Sequence, residues 1–202
     1  MPCQFIARKP ELIHNLLRIY GESTPEDRLM GCEWYPKAHQ TAIEWGETYG
    51  YSIATVANVV AALSPQIDWN RNLIVAHDLL SGQNPSVGGC LLGCVNKAKA
   101  ILRDRAGDIR DYFPQGPKVY HFAQNLMGNY VLVTVDTHAT QAALNDVTSN
   151  YHLKWTPYGV FEECYQESAN IIGMEPAMFQ AIIWLGWKRK YPRMVKKQLR
   201  RK

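Results

Sequence analysis

An amine and a carboxylate lie in one stretch of the chain where both side chains can face the same cleft. Lys118 follows the turn formers Gly116 and Pro117, and Asp136 follows the apolar run 131–135. Proline fits the first turn of a helix because its missing N–H has no intrahelical partner there, so a helix is predicted to begin near Lys118. Asp136 or Thr137 is a good N-cap for a second helix, and that helix's dipole favours an ionised carboxylate. About three helical turns and one return segment separate the two groups, which predicts a shared site.

This pair of groups has the chemistry needed to cleave an N-glycosidic bond. Cleavage leaves positive charge on the sugar, and a fixed carboxylate such as Asp136 would stabilise that charge. An amine that attacks C1′ must be neutral, so burial, a neighbouring cation or the helix dipole would have to lower the pKa of Lys118. The plain alternative is that Lys118 contacts a phosphate and that Asp136 is only a helix cap.

Two motifs and a looser third resemble the helix-hairpin-helix DNA glycosylases of the endonuclease III and 8-oxoguanine glycosylase kind. The stretch 113–145 contains a turn-Gly-x-Lys opening of a helix, followed by V-D-T-H at 135–138. Upstream, L-S-P-Q at 63–66 resembles the family's L-S-x-Q segment, and 96–101 is similar to its N-x-K-A segment. The resemblance covers roughly residues 51–145.

The resemblance implies specific roles for four residues. Gly116 would grip a DNA phosphate through its backbone, Lys118 would attack the sugar, and Asp136 would assist. Gln66 would enter the gap left by a flipped base. The implied partner is DNA, either a duplex with a flipped base or a single strand. The hairpin is one residue shorter than the family's L-P-G-V-G-x-K and lacks its first glycine. No cysteine follows Cys164, so we expect no iron–sulfur cluster and no other cofactor.

Basic residues concentrated near the C-terminus are further candidates for DNA contacts. Nine basic residues and no acidic ones lie between Lys188 and Lys202, although the net charge of the chain is only +4. Such a segment suits phosphate binding with counterion release. The alternative is a solvated tail that only aids solubility, and His138 could equally be a packing residue. The complete set of candidate DNA contacts is Gln66, Gly116, His138, Lys188, Arg189, Lys190 and Arg193.

Aromatic residues near the N-terminus are candidates for a base pocket. Trp34, Tyr35 and His39 cluster in one predicted helix. Flipped bases are held by stacking on aromatic rings, which gives these side chains a function. Packing in the hydrophobic core is the alternative.

The elements that must position these residues are predicted to be helices. The stretch 52–63 is apolar nearly all round and indicates a buried central helix. The run 131–135 has strand propensity but no partner strand, so we expect an extended connector. The predicted fold is all-α, with two helical lobes, a cleft between them and a helix-hairpin-helix motif near 108–128. The predicted divisions are a central lobe of 51–128, a second lobe of 1–50 plus 129–187, and a basic tail of 188–202.

The composition limits the classes of protein to which the chain can belong. The chain has 202 residues, of which 47% are hydrophobic and 20% are charged, enough for a well-buried core. No apolar run could span a bilayer, and the first residues lack the hydrophobic stretch of a signal peptide. Five scattered cysteines then predict reduced thiols, and Cys90 with Cys94 lacks the further ligands that a metal site requires. We expect a soluble, cytoplasmic monomer without a metal.

These observations together predict a DNA glycosylase that removes a damaged or modified base. AP-lyase activity through a lysine Schiff base would accompany base removal. Two alternatives stay open. One is a glycosylase-derived enzyme that makes or edits modified bases, as phage-type relatives of this fold are thought to do. The other is a catalytically silent DNA-binding module.

Overall fold

The regular elements of the protein are helices, as the sequence predicts. The computed structural model describes residues 4–86, 88–105, 108–151 and 155–192. Within those residues there is no strand, which confirms the all-α prediction. A 3₁₀ turn at Ile6–Arg8 precedes the α-helices of the described chain, which are α1 (Lys9–Gly21), α2 (Pro25–Tyr49), α3 (Ile53–Leu63), α4 (Trp69–Leu80), α5 (Leu92–Asp104), α6 (Ile109–Tyr112), α7 (Pro117–Leu126), α8 (Thr137–Leu144), α9 (Trp155–Ile172) and α10 (Pro176–Lys190).

The helices group into two compact units. The first unit combines Met1–Tyr35 with Tyr130–Lys202, and the second unit is Pro36–Asn129. Helix α2 runs through the first boundary and has Pro36 inside it. Proline removes one backbone N–H and crowds the carbonyl four residues earlier, so the helix is weakened where the two units join along the chain.

The first unit is built around α1, α8, α9 and α10, which pack against one another. Their shared core includes the fully buried side chains of Leu12, Leu16, Phe161 and Ile183. The N-terminal part of α2 reaches this core through Gly31, where an added Cβ would lie only 2.4 Å from Cγ1 of Ile182. Glycine at this position therefore sets the close approach of α2 to α10.

The second unit is organised around α3, as expected for a helix that is apolar nearly all round. Every residue from Thr55 to Leu63 is buried, and α3 packs against α4, α5 and α7. Ser52 begins the helix because its hydroxyl accepts the backbone N–H of Thr55 at 3.1 Å. The threonine hydroxyl in turn donates to the carbonyl of Arg105 at 2.7 Å, which ties α3 to the end of α5.

The connection from α7 to α8 is irregular and partly buried. Val133, Thr134 and Val135 are all buried, and no strand forms there. Asp136 ends the connection in an extended conformation, with φ −94° and ψ −175°. This connector delivers Asp136 to the start of α8 from the interior of the first unit.

Three further features of the described residues concern membrane spans, metal sites and cysteines. None of their helices combines the length and apolar character of a membrane span. They contain no cluster of three or more histidine, cysteine, aspartate or glutamate side chains arranged to hold a metal ion. The free cysteines recorded among them are Cys32, Cys90, Cys94 and Cys164.

Candidate active site around Asp136

The carboxylate of Asp136 is fixed by the helix that it caps. Its Oδ1 accepts the backbone N–H of Ala139 at 2.7 Å, which satisfies one of the free donors at the start of α8. The backbone carbonyl of Asp136 also accepts the N–H of Thr140 at 2.9 Å. The helix dipole stabilises negative charge at this end, so a half-buried carboxylate is favoured there.

The second oxygen of the same carboxylate is held from another helix. Trp184 of α10 donates its indole Nε1–H to Asp136 Oδ2 at 3.1 Å. Helix α10 packs directly on α8, which brings the two side chains together. With one donor on each oxygen, the plane of the carboxylate is set, and each oxygen keeps a further lone pair for a ligand.

Lys188 lies on the same indole. Its Nζ is 3.7 Å from the centroid of the Trp184 ring, one helical turn further along α10. Burial lowers the pKa of Lys188, and the negative charge of Asp136 opposes that shift. The first unit therefore places an amine and a carboxylate around one aromatic ring.

His138 completes the group on the side of α8. Its ring meets the Trp184 ring edge to face, with 6.3 Å between centroids. Its Nδ1 lies 3.3 Å from Oε1 of Gln141, whose amide group donates to the carbonyls of Val147 and Ser149. Because the glutamine oxygen can only accept, Nδ1 of His138 is the donor in this contact.

Buried tyrosines hold the connector beneath the site. Tyr158 donates its hydroxyl to the carbonyl of Val133 at 2.6 Å and accepts the N–H of Val135 at 2.9 Å. Tyr165 donates to the carbonyl of Ala139 at 3.0 Å. Burial raises the pKa of both tyrosines well above the usual value, so both stay neutral. They supply rigid support without adding charge next to Asp136.

Tyr35, a predicted wall of the base pocket, belongs to this supporting layer. It is 3% exposed, and its hydroxyl donates to Oε1 of Gln180 at 3.0 Å. Burial raises its pKa, against the effect of a hydrogen bond with Thr134. Trp34 is half-buried and packs edge to face on the Tyr35 ring, with 4.7 Å between centroids.

Lys118 and Gly116, predicted as nucleophile and phosphate grip, lie in the second unit. Gly116 precedes α7 with φ −110° and ψ 65°, and its N–H donates to the carbonyl of Phe113 at 3.0 Å, closing the turn after α6. Lys118 is half-buried near α5; burial raises the pKa of the Cys94 thiol there, and the charges of Lys97 and Lys118 oppose that rise.

Gln66 and His39 are the other predicted site residues in the second unit. Gln66 is exposed in the loop between α3 and α4 and has a φ of 65°, which is unusual for a residue other than glycine. The flanking Ser64 Oγ and Asn72 Oδ1 are buried without a hydrogen-bond partner. His39 Nδ1 is 2.8 Å from the carbonyl of Leu126, at the end of α7.

Two of the predicted phosphate contacts at the end of α10 are engaged within the protein. Arg189 Nε lies 2.9 Å from Oδ2 of Asp27, and Lys190 Nζ lies 2.7 Å from Oε2 of Glu22. Both pairs join the end of α10 to the segment around the start of α2. Arg193 and the rest of the basic tail from residue 193 onward lie outside the described residues.

The structure thus gathers Asp136, His138 and Lys188 from the predicted set, and adds Trp184. Sequence analysis did not single out Trp184. A signal was available in the W-x-x-x-K spacing of α10, because residues four apart share a helical face and a lysine can stack there on an indole. What no spacing could show is the hydrogen bond that joins Trp184 to an aspartate 48 residues away.

Comparison with known proteins places the chain by family alone. No curated protein and no solved structure matches it. A family model does match, and it spans residues 6–191, which include the whole second unit, most of the first unit and every helix described above. The chain therefore belongs to the family of unknown function DUF7178.

Proposed function

We propose that this protein is a DNA glycosylase that cleaves the N-glycosidic bond of a damaged or modified base. The observation that carries the proposal is the Asp136 carboxylate, held at one oxygen by the N–H of Ala139 and at the other by Trp184. A pre-oriented carboxylate costs no reorganisation when positive charge develops on the sugar, so it stabilises an oxocarbenium-like transition state.

The roles of residues in the first unit follow from their positions, and those of residues in the second unit follow from the sequence resemblance. His138 lies against the same indole as Lys188, with its Nδ1 held by Gln141, and would relay a proton beside Asp136. Gln66, in its strained loop, would fill the gap left by the flipped base. Strained conformations of this kind are maintained at functional sites. The sequence resemblance assigns phosphate gripping to Gly116 and Schiff-base formation, with AP-lyase activity, to Lys118.

Asp136→Asn is the variant that tests the proposal. Asparagine keeps a side-chain oxygen for the N–H of Ala139 and removes the negative charge, but its amide nitrogen cannot accept the indole N–H of Trp184. Circular dichroism checks that the variant is folded. We expect base release to fall by about a hundredfold or more, with DNA affinity changed less than twofold. The substrates are duplex and single-stranded oligonucleotides that carry oxidised, alkylated, deaminated or hydroxymethylated bases.

Asp146→Asn is the matched control, since Asp146 also accepts a backbone N–H, from Thr148 at 2.8 Å, but belongs to the turn after α8. It should leave base release unchanged. If the native protein binds DNA and releases no base from the whole panel, the glycosylase proposal fails, and base modification or a silent binding module takes its place.

A further inference from the structure

We propose that Lys188, and not Lys118, is the amine that attacks the sugar beside Asp136. This inference rests on the proposed function and changes the residue that performs its covalent step. It comes from the placement of Lys188 on an indole that is itself bonded to the carboxylate.

Trp184 sets the geometry of both reacting groups. Its N–H edge holds Asp136, while its face carries the Lys188 ammonium. A cation over an indole is attracted by the ring quadrupole, which confines the end of a flexible side chain. Among the described residues, no carboxylate forms an ion pair with Lys188. The lysine is therefore positioned without being locked into a salt bridge with the group that it must work beside.

The neighbouring cations show the contrast. Arg189 and Lys190 turn away to pair with Asp27 and Glu22. Of these three, only Lys188 lies against the Trp184 ring. Burial there lowers the pKa of Lys188, and the charge of Asp136 opposes that shift. A less solvated lysine reaches the neutral, nucleophilic form at a lower pH than an exposed one.

Lys118 has a different electrostatic environment. It belongs to the second unit, and its charge acts on the Cys94 thiol of α5. Lys188 shares the first unit with Asp136, and the charge of that carboxylate acts directly on its amine. The amine and the carboxylate that the chemistry requires are thus both supplied by the surfaces of α8 and α10.

The covalent step balances without any further reactant. The lone pair of neutral Lys188 Nζ forms a bond to C1′ of the deoxynucleotide while the C1′–N bond to the base breaks. The electron pair of the broken bond goes to the base, which leaves after taking up a proton, and the new C1′–N ammonium loses a proton to the Asp136 carboxylate. Ring opening then gives the imine, with a proton delivered to O4′.

Borohydride trapping on DNA with a preformed abasic site tests this assignment, because it requires an aldehyde and no base release. The key variant is Lys188→Arg, which keeps the positive charge on Trp184 and cannot form an imine. Lys118→Arg tests the rival lysine, Lys37→Arg is the control at an exposed lysine of α2 with no assigned role, and the trapped lysine is located by peptide mass spectrometry. Circular dichroism confirms that each variant is folded.

We expect the adduct on Lys188, with trapping reduced at least tenfold in Lys188→Arg and changed less than twofold in the other two variants. An adduct on Lys118 or any other lysine, undiminished trapping in Lys188→Arg, or no adduct with the native protein overturns the inference. Base release is measured separately. Base release without an adduct would support the glycosylase proposal and contradict the lysine step. An adduct on Lys188 without release of any base would support the assignment of the amine and contradict the glycosylase proposal.

Discussion

Trp184 donates its indole N–H to the Asp136 carboxylate at 3.1 Å. This one bond links the start of α8 to the middle of α10 and fixes the direction in which the carboxylate faces. The orientation of the candidate catalytic group is therefore a property of helix packing in the first unit, and it can be changed without touching the carboxylate itself.

Trp184→Phe should separate orientation from charge. Phenylalanine keeps an aromatic face for Lys188 and removes the only N–H of the side chain, so Asp136 Oδ2 loses this donor. We expect base release to fall about tenfold to a hundredfold, with a loss in the free energy of unfolding of about 1 kcal/mol. Single-turnover kinetics and urea denaturation measure the two effects. Equal activity in Trp184→Phe and the native protein would show that the indole bond has no part in the reaction.

Gly31→Ala should strongly destabilise the first unit. The added Cβ would lie 2.7 Å and 2.8 Å from the backbone N and Cα of Ile182, atoms that cannot move aside like a side chain. Forcing the two helices apart costs about 1–3 kcal/mol. Gly159→Ala is the control in α9, where nothing lies within 4 Å of the new Cβ. The control should gain up to about 1 kcal/mol from helix propensity. Similar urea midpoints for the two variants would contradict the close approach.

Asp27 should contribute stability that disappears in acid. Its carboxylate accepts the N–H of Thr24 at 2.9 Å, and Thr24 Oγ1 in turn accepts the N–H of Asp27. The two bonds form a reciprocal cap at the start of α2. Burial alone would raise the pKa of Asp27, but these bonds and Arg189 outweigh it and lower the pKa. Because its folded-state pKa is lowered, Asp27 stabilises the folded protein at pH values above its unfolded-state pKa of about 3.9. That contribution is lost as the pH falls through the folded-state pKa.

Asp27→Asn should accordingly be less stable than the native protein by about 1 kcal/mol at pH 7, and the two melting temperatures should converge as the pH falls below about 4. The exposed neighbour Glu26→Gln controls for loss of a negative charge in the same helical turn. A difference that stays constant from pH 7 to pH 2.5 would assign the effect of Asp27→Asn to packing and not to ionisation.

Gln66→Gly should increase stability and reduce activity. A side chain at φ 65° is strained, and glycine removes the strain, though it also loosens the unfolded chain. We expect a net gain of about 0.5–1 kcal/mol together with weaker binding to DNA that carries a flipped base. Asn145→Gly, at φ 50°, should gain no stability because asparagine tolerates this conformation and glycine removes the hydrogen bond that Asn145 Oδ1 accepts from Arg18, and it should leave DNA binding intact. Stronger base release by Gln66→Gly than by the native protein would contradict the role proposed for Gln66.

Local signals in the sequence were sufficient to predict the central helix and the start of α8. Asp136 caps α8, and the apolar pattern of α3 matched its burial. These features depend on neighbours within one or two helical turns, so residue type and spacing carry the information.

Relationships across the first unit were beyond the reach of sequence patterns. Tyr35 was a candidate for base stacking because it is aromatic, but its bond to Gln180 joins residues 145 positions apart. Lys188 was predicted to contact phosphate because it begins a basic run, whereas α10 extends through Lys190 and places Lys188 on the face that carries Trp184. The W-x-x-x-K spacing could have placed Lys188 on the indole, but only the packing of α10 on α8 joins that indole to Asp136.

The passage of α2 through both units has a consequence for folding during synthesis. The second unit is one continuous segment, so all of its helices can pair soon after Asn129 leaves the ribosome. Helix α1 is made earlier, yet its core positions Leu12 and Leu16 must wait for partners in α8 to α10. During that interval the apolar face of α1 is exposed while α1 is tethered to the folded second unit. Deletions that reach α10 should therefore lead to aggregation and chaperone dependence, and not merely to a shorter chain.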